Sequence, residues 1–353
     1  MNVRDVETAK MSYAPELSEK ANINDSKARL KDLDAARAVA LITVVGCHVI
    51  NRGDFPPGTD LYQHIYAWTV IYFNIPSFFF YTGIIMALRR PVSTKTEYFD
   101  SLGKTLRRLG IPFLFFSTVI FLGKFLTQIR LGQTVMLNNL GDYSAIFLTP
   151  IISPFSSFLW FIYVYIMYVL TLPVLILLLK KAPIPVIIAS IIIAALPMTD
   201  WFALRSYFQN LPYFLTGYAL TFIYSRYLEL LNRWWPLALA VFAAALLFSE
   251  LVHLLPAALI ALPLIFATHR LFRLSFVTNH SPLQYIAKHM FPIYLMNTIF
   301  LNVSRGVLLH FLTWSVPNFY WMLPLLTIVG LSGPIMVKKY IVGRLPWLRH
   351  VTG

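Results

Sequence analysis

Arg37 and His48 stand eleven positions apart in the run Leu33-Asp34-Ala35-Ala36-Arg37-Ala38-Val39-Ala40-Leu41-Ile42-Thr43-Val44-Val45-Gly46-Cys47-His48. At about 100° per residue this separation returns to within about 20° of the same helix face, and at about 1.5 Å per residue it covers about 16 Å of axis. Arg37, Leu41, Val44 and His48 therefore form one stripe, with a permanent cation at one end and a titratable imidazole at the other. Neutral imidazole is a competent general base for an alcohol near pH 7. The planar guanidinium fork suits a phosphorylated ligand. Taken singly, each residue also fits a plainer role: an arginine snorkelling to lipid phosphates, or an interfacial histidine. Asp34, one turn before Arg37, is placed to pair with it or to cap the helix. Cys47, the only cysteine, projects about 100° away from His48 and suits packing better than carrying an acyl thioester.

Further polar positions follow in other apolar runs. Asn74 precedes Pro76, whose missing N–H leaves a carbonyl free inside the run and predicts a kink. Lys104, Arg107 and Arg108 cluster ahead of Pro112. Such a cluster obeys membrane topology and also suits the nucleotide phosphates of an acyl-CoA. Trp160 and Tyr163 begin another run, where aromatics form an interfacial belt or stack on sugar faces. Tyr294 and Asn297 fall late, after Lys288. Asn74, Trp160, Tyr163, Tyr294 and Asn297 are the candidate substrate contacts.

The elements that must position these residues are apolar helices. Of 353 residues, 58% are hydrophobic and 12% are charged, against about 45–50% apolar usage in soluble domains. The charges gather between runs of about twenty apolar residues, the length that crosses a bilayer core. Ten spans are expected: 35–50, 64–88, 106–128, 157–179, 184–197, 211–224, 235–249, 251–268, 283–304 and 318–337. Lys and Arg concentrate in alternate loops, which places both termini in the cytoplasm and the 129–156 loop outside. The fold class is an all-α membrane protein. Residues 1–31 are expected to form a disordered cytoplasmic tail, 32–340 the transmembrane domain and 341–353 a short basic tail. The net charge of +14 is distributed over helix ends rather than along one soluble face, which argues against nucleic acid as a partner. One cysteine and eight histidines without close ligand spacing argue against a metal or redox centre.

On these residues the chain resembles the acyltransferase-3 family of bacterial membrane O-acyltransferases, from Lys31 to about Lys339, especially its exopolysaccharide and fucose 4-O-acetylase-like members. Arg37, ten intervening residues and His48 fit the family's leading motif, with Asp34 before the arginine. Phe78 to Gly83 is similar to its Phe-rich Ser-Gly motif, Arg107-Arg108 with Pro112 to its basic loop, and Leu159-Trp160-Phe161 and Ile293-Tyr294-Leu295 continue the order. Thr82 replaces the usual Ser, and Asn297 stands where many members carry His. The hydrolase-like extra domain that some members carry is not expected here.

The resemblance implies transfer of an acyl group, most often acetyl, from cytoplasmic acyl-CoA to a sugar hydroxyl of a surface polysaccharide or its lipid-linked precursor. Arg37, Lys104, Arg107 and Arg108 would hold the acyl-CoA, which is a co-substrate rather than a bound cofactor, and His48 would act as base or acyl carrier. It also implies residence in the bacterial inner membrane and association with polysaccharide assembly machinery. A transporter or flippase for a lipid-linked sugar or small solute is the rival class, and a membrane scaffold a third. The absence of an internal repeat weakens the transporter reading.

Overall fold

The computed structural model describes residues 30–50, 55–89, 94–131, 143–153, 157–252 and 255–344. The expected N-terminal tail up to residue 29, most of the 341–353 tail and half of the 129–156 loop, residues 132–142 and 154–156, lie outside the described residues. Every regular element among the described residues is a helix. In chain order they are α1 (Lys31–His48), α2 (Asp60–Trp68), α3 (Ile75–Arg89), α4 (Lys95–Thr105), α5 (Ile111–Leu131), α6 (Trp160–Lys181), α7 (Pro183–Ala194), α8 (Leu204–Leu220), α9 (Tyr224–Val252), α10 (Ala257–Phe272), α11 (Ser281–Lys288), α12 (Met290–Phe311) and α13 (Val316–Tyr340), with a few single-turn pieces between them.

A helix, or part of one, lies over each apolar run expected from the sequence. Five stretches are long and apolar enough to cross a membrane: Asp60–Leu88, Lys95–Leu126, Trp160–Lys181, Trp201–Ser249 and Val316–Tyr340. The shorter helices Pro183–Ala194 and Ala257–Phe272 are also apolar. The protein is an α-helical membrane protein.

The helix that carries Arg37 and His48 is not among these long apolar stretches. α1 carries Lys31, Asp32, Asp34 and Arg37 near its start, and it packs against α3, α10, α11, α12 and α13. Its small residues Ala35, Ala36, Ala38 and Ala40 are fully buried. Surrounded by protein on most sides, it does not need the hydropathy that a lipid-facing helix needs.

Two π-helical turns shape the bundle, and both have the same cause. Thr69–Asn74 joins α2 to α3 just ahead of Pro76, and Leu106–Gly110 joins α4 to α5 just ahead of Pro112. Proline removes an i→i−4 donor and crowds the preceding turn, and a widened turn absorbs that mismatch. The expected Pro76 kink is therefore a π turn. It leaves Asn74 buried, with its Oδ1 accepting from the Ile75 backbone N–H at 2.5 Å.

α3 and α8 pack at backbone distance. A Cβ on Gly83 would overlap the Phe214 carbonyl, and one on Gly217 would overlap the Phe80 carbonyl. Only hydrogen at both positions permits this approach, the small-residue packing typical of membrane helices. Around the contact, Phe79 meets Tyr168 edge-on at 5.5 Å, and Tyr168 stacks on Phe214 at 4.5 Å. This aromatic core fixes α3, and with it Asn74 and Phe78, against α6 and α8.

Candidate active site

His48 is the last residue of α1 and lines a small chamber of about 120 Å³. Leu41, Val44, Val70 and Ile75 give the chamber an apolar wall, and Trp160, Phe161 and Tyr294 an aromatic one. The stripe expected on α1 is thus realised at Leu41, Val44 and His48. Its fourth member, Arg37, is not part of the lining. Its guanidinium instead lies 5.6 Å from the centroid of the Phe78 ring, over its face, and Phe78 lines the chamber. That distance is within cation–π range, so one phenyl ring connects the arginine to the chamber.

The imidazole is oriented from across the bundle. His48 Nδ1 and Asn297 Oδ1 are 3.0 Å apart. Asn297 commits both amide hydrogens elsewhere, donating from Nδ2 to the carbonyls of Ile293 and Tyr294 at 2.9 Å each. Its oxygen must therefore be the atom facing His48, and an amide oxygen only accepts. In the neutral ring Nδ1 therefore carries the hydrogen and Nε2 the lone pair. The C-terminal end of α1 also favours positive charge at its last residue, which assists an imidazole that takes a proton.

Cys47 lines the same chamber, although helix geometry turns it away from His48. The chamber wraps around the last turn of α1 and meets both residues. Asn74 Nδ2 donates toward Cys47 Sγ at 3.7 Å, so Asn74 serves as a wall polar group that also contacts the thiol. Tyr294 donates its hydroxyl to the Phe158 carbonyl at 2.6 Å, and only its ring is left for a ligand. Trp160 and Asn74 line the chamber, whereas Asn297 stands behind His48. Tyr163 is not part of the lining and faces Phe113, with centroids 6.2 Å apart.

Lys104, Arg107 and Arg108 are exposed around the π turn that precedes α5. Lys338 of α13 lies within electrostatic reach of Arg108 and of Lys288 at the end of α11. Three helices distant in sequence thus bring cations to one end of the bundle, the end from which α1 starts.

A second polar cluster at that end was not among the sequence candidates. His269 is fully buried; its Nδ1 is 2.5 Å from the Tyr227 hydroxyl, and its Nε2 is 3.8 Å from Asp32 Oδ2. Arg273 Nε reaches the same carboxylate oxygen at 3.8 Å. Burial opposes ionisation of Asp32, but the hydrogen bond and charge of His269, the Leu33 N–H and Arg273 outweigh it, so its pKa falls below the ordinary carboxylate value. The cluster ties the start of α1 to α9 and α10. Only the proximity of Asp32 to a helix start hinted at it in the sequence, because its partners are more than two hundred residues away.

An imidazole whose Nδ1 faces an amide oxygen, beside an apolar chamber inside a bundle of apolar helices, can take a proton from a hydroxyl. A family model described as an acyltransferase domain matches residues 30–338, and the chain belongs to that family, acyltransferase 3. No curated protein and no solved structure matches it.

Proposed function

We propose that this protein is an O-acetyltransferase of the bacterial inner membrane. It moves acetyl from cytoplasmic acetyl-CoA to a sugar hydroxyl of an exported polysaccharide or its lipid-linked precursor. The observation that carries this reading is the Asn297-oriented His48 facing a chamber that is small, apolar and aromatic-walled. At about 120 Å³ the chamber falls below the roughly 300–1,000 Å³ of sites that enclose whole ligands. It suits a two-carbon acyl group and the reacting hydroxyl.

In the direct route, His48 Nε2 takes the hydroxyl proton as the sugar oxygen attacks the thioester carbonyl. The carbon–sulfur bond then breaks, and the imidazolium returns the proton to the leaving thiolate of CoA. In the relayed route, Nε2 first accepts the acetyl group and the thiolate leaves; the sugar hydroxyl then displaces the imidazole, and its proton ends on the CoA thiolate. Both routes need the lone pair on Nε2. The cations Arg108, Lys288 and Lys338 would receive the CoA phosphates, with Arg37 nearer the chamber.

The membrane arrangement that goes with this function has ten spans and cytoplasmic termini, so that the cation end meets acetyl-CoA and the His48 end meets the glycan. Impermeant thiol labelling of cysteines at Thr199 and Asp100 tests it: the first should react from outside and the second should not. The function itself is tested by mass spectrometry of the host's surface glycan with and without the gene. Loss of a +42 Da acetyl increment on deletion is expected, and an unchanged glycan would reject the proposal.

A further inference from the structure

A second cavity of about 370 Å³ adjoins the His48 chamber. The two share three wall residues, Val70, Ile75 and Trp160. Its far wall is of a different character. Ser206, Gln209, Asn210 and Tyr213 of α8 all line it, and they are spaced along one face at i, i+3, i+4 and i+7. Asn210 is buried and donates Nδ2–H to the Ser206 carbonyl at 2.8 Å. That bond fixes the amide and leaves Oδ1 as its other polar atom, while the exposed Gln209 brings a full carboxamide. Short residues, Ala194, Ala195, Ala257 and Ala258, keep the opposite side open.

We infer that this cleft is the acceptor site and holds the sugar ring whose hydroxyl reaches into the His48 chamber. The inference rests on the acetyltransferase reading above. Size separates the two cavities: about 370 Å³ lies within the roughly 300–1,000 Å³ of small-molecule sites, and the chamber does not. Chemistry separates them as well. The cleft combines an indole, a platform for the apolar face of a sugar, with carboxamides and hydroxyls that both donate and accept, as sugar hydroxyls require. Among the described residues its lining has no lysine or arginine, which suits a neutral sugar better than a phosphate or the CoA nucleotide. A lipid tail would offer no partner to the polar atoms that face the cleft, such as Asn210 Oδ1, at a cost. Trp160 stands between the cavities, so a ring stacked there presents its edge to His48.

The test uses the full-length protein in lipid nanodiscs, with acetyl-CoA as donor and the host's own glycan, deacylated by mild base, as acceptor. Two variants approach the cleft differently: Gln209→Leu/Asn210→Leu removes its hydrogen bonds, and Ala257→Trp fills it from an exposed position. Each should raise KM for the glycan about tenfold or more, the loss expected for one or two hydrogen bonds to substrate. KM for acetyl-CoA, and its slow hydrolysis without glycan, should stay within about twofold of wild type. A general loss of folding would lower donor turnover too, and the Ala257 variant then decides the matter, because it leaves the polar wall intact. Wild-type glycan KM in both variants would overturn the assignment while leaving the enzyme reading in place. A wild-type protein that transfers no acetyl to the glycan would sink that reading, and this inference with it.

Discussion

His48 Nδ1 and Asn297 Oδ1 lie 3.0 Å apart, joining the end of α1 to the middle of α12 across 249 residues of sequence. Because both amide hydrogens of Asn297 are held by the carbonyls of its own helix, this contact fixes the tautomer as well as the position of the imidazole. Asn297→Leu should therefore act on turnover and not on donor binding. Loss of the bond leaves Nδ1–H unpaired and the ring free to exchange tautomers. A net hydrogen bond of about 0.5–1.5 kcal/mol sets a fall in kcat of up to about tenfold, more if the ring turns away. KM for acetyl-CoA should be unchanged. Equal loss in kcat and in membrane abundance would make Asn297 a packing residue only.

The stripe of Leu41, Val44 and His48 was legible in the sequence because helix geometry alone relates such positions, whereas Arg37, expected on it, lies off the chamber lining. Pro76 was legible as well because its effect is local, although the sequence specifies a disturbance and not its π form; the like turn before Pro112 was not read from the sequence. The partners of the site were not legible. Asn297 meets His48, Lys338 meets Arg108, and His269 meets Asp32 only because particular helices pack together, and no periodicity in one segment reports on that. α1 was recognisable as a helix, but its central burial follows from five neighbours rather than from its modest hydropathy.

The cations at the start of α1 belong to separate helices, and this makes their contribution divisible. Arg108→Ala and Lys338→Ala should each raise KM for acetyl-CoA a few-fold with kcat little changed, since long-range attraction to phosphates assists binding equally before and during reaction. The effect should shrink at 1 M salt, where the screening length falls to about 3 Å. Arg37→Lys, which keeps the charge and loses the planar fork, should be milder than Arg37→Ala but still impaired. Unaltered donor kinetics in Arg37→Ala would remove it from the donor site and leave its contact with the Phe78 ring as its role.

Gly83 and Gly217 hold α3 against α8 from opposite sides of one contact. Alanine at either position places a methyl group on a backbone carbonyl of the partner helix, and a carbonyl cannot rotate aside as a side chain can. Overpacking of this kind typically costs about 1–3 kcal/mol or more. Either variant should lower the amount of folded protein in detergent and its melting temperature. The double variant should cost less than the sum of the two, because the first separation of the helices already relieves the second overlap. Wild-type melting of Gly217→Ala would show that the two helices do not pack at this distance.

Cys47 and His48 both line the chamber, and each has a chemistry that carries an acyl group, so their variants must be compared side by side. Cys47 sits beside Asn74, whose Nδ2 points at its sulfur; among the described residues no base is hydrogen-bonded to the thiol to make it a thiolate, and the thiolate is the form that attacks. His48 has its Nδ1 hydrogen held and its Nε2 lone pair available. Cys47→Ser, close in size and still able to accept from Asn74, should retain acetyl transfer within a few-fold. His48→Gln keeps polarity and much of the volume but cannot take a proton, and should lose about 10² to 10⁴ in rate. Both proteins should accumulate in the membrane as wild type does. Incubation with radiolabelled acetyl-CoA without glycan adds a second readout: label held through the imidazole is lost on treatment with neutral hydroxylamine and is absent from His48→Gln, whereas the direct route leaves no label on either protein. If His48→Gln acetylated glycan at near wild-type rate while Cys47→Ser did not, the thiol and not the imidazole would be the reacting group of this chamber.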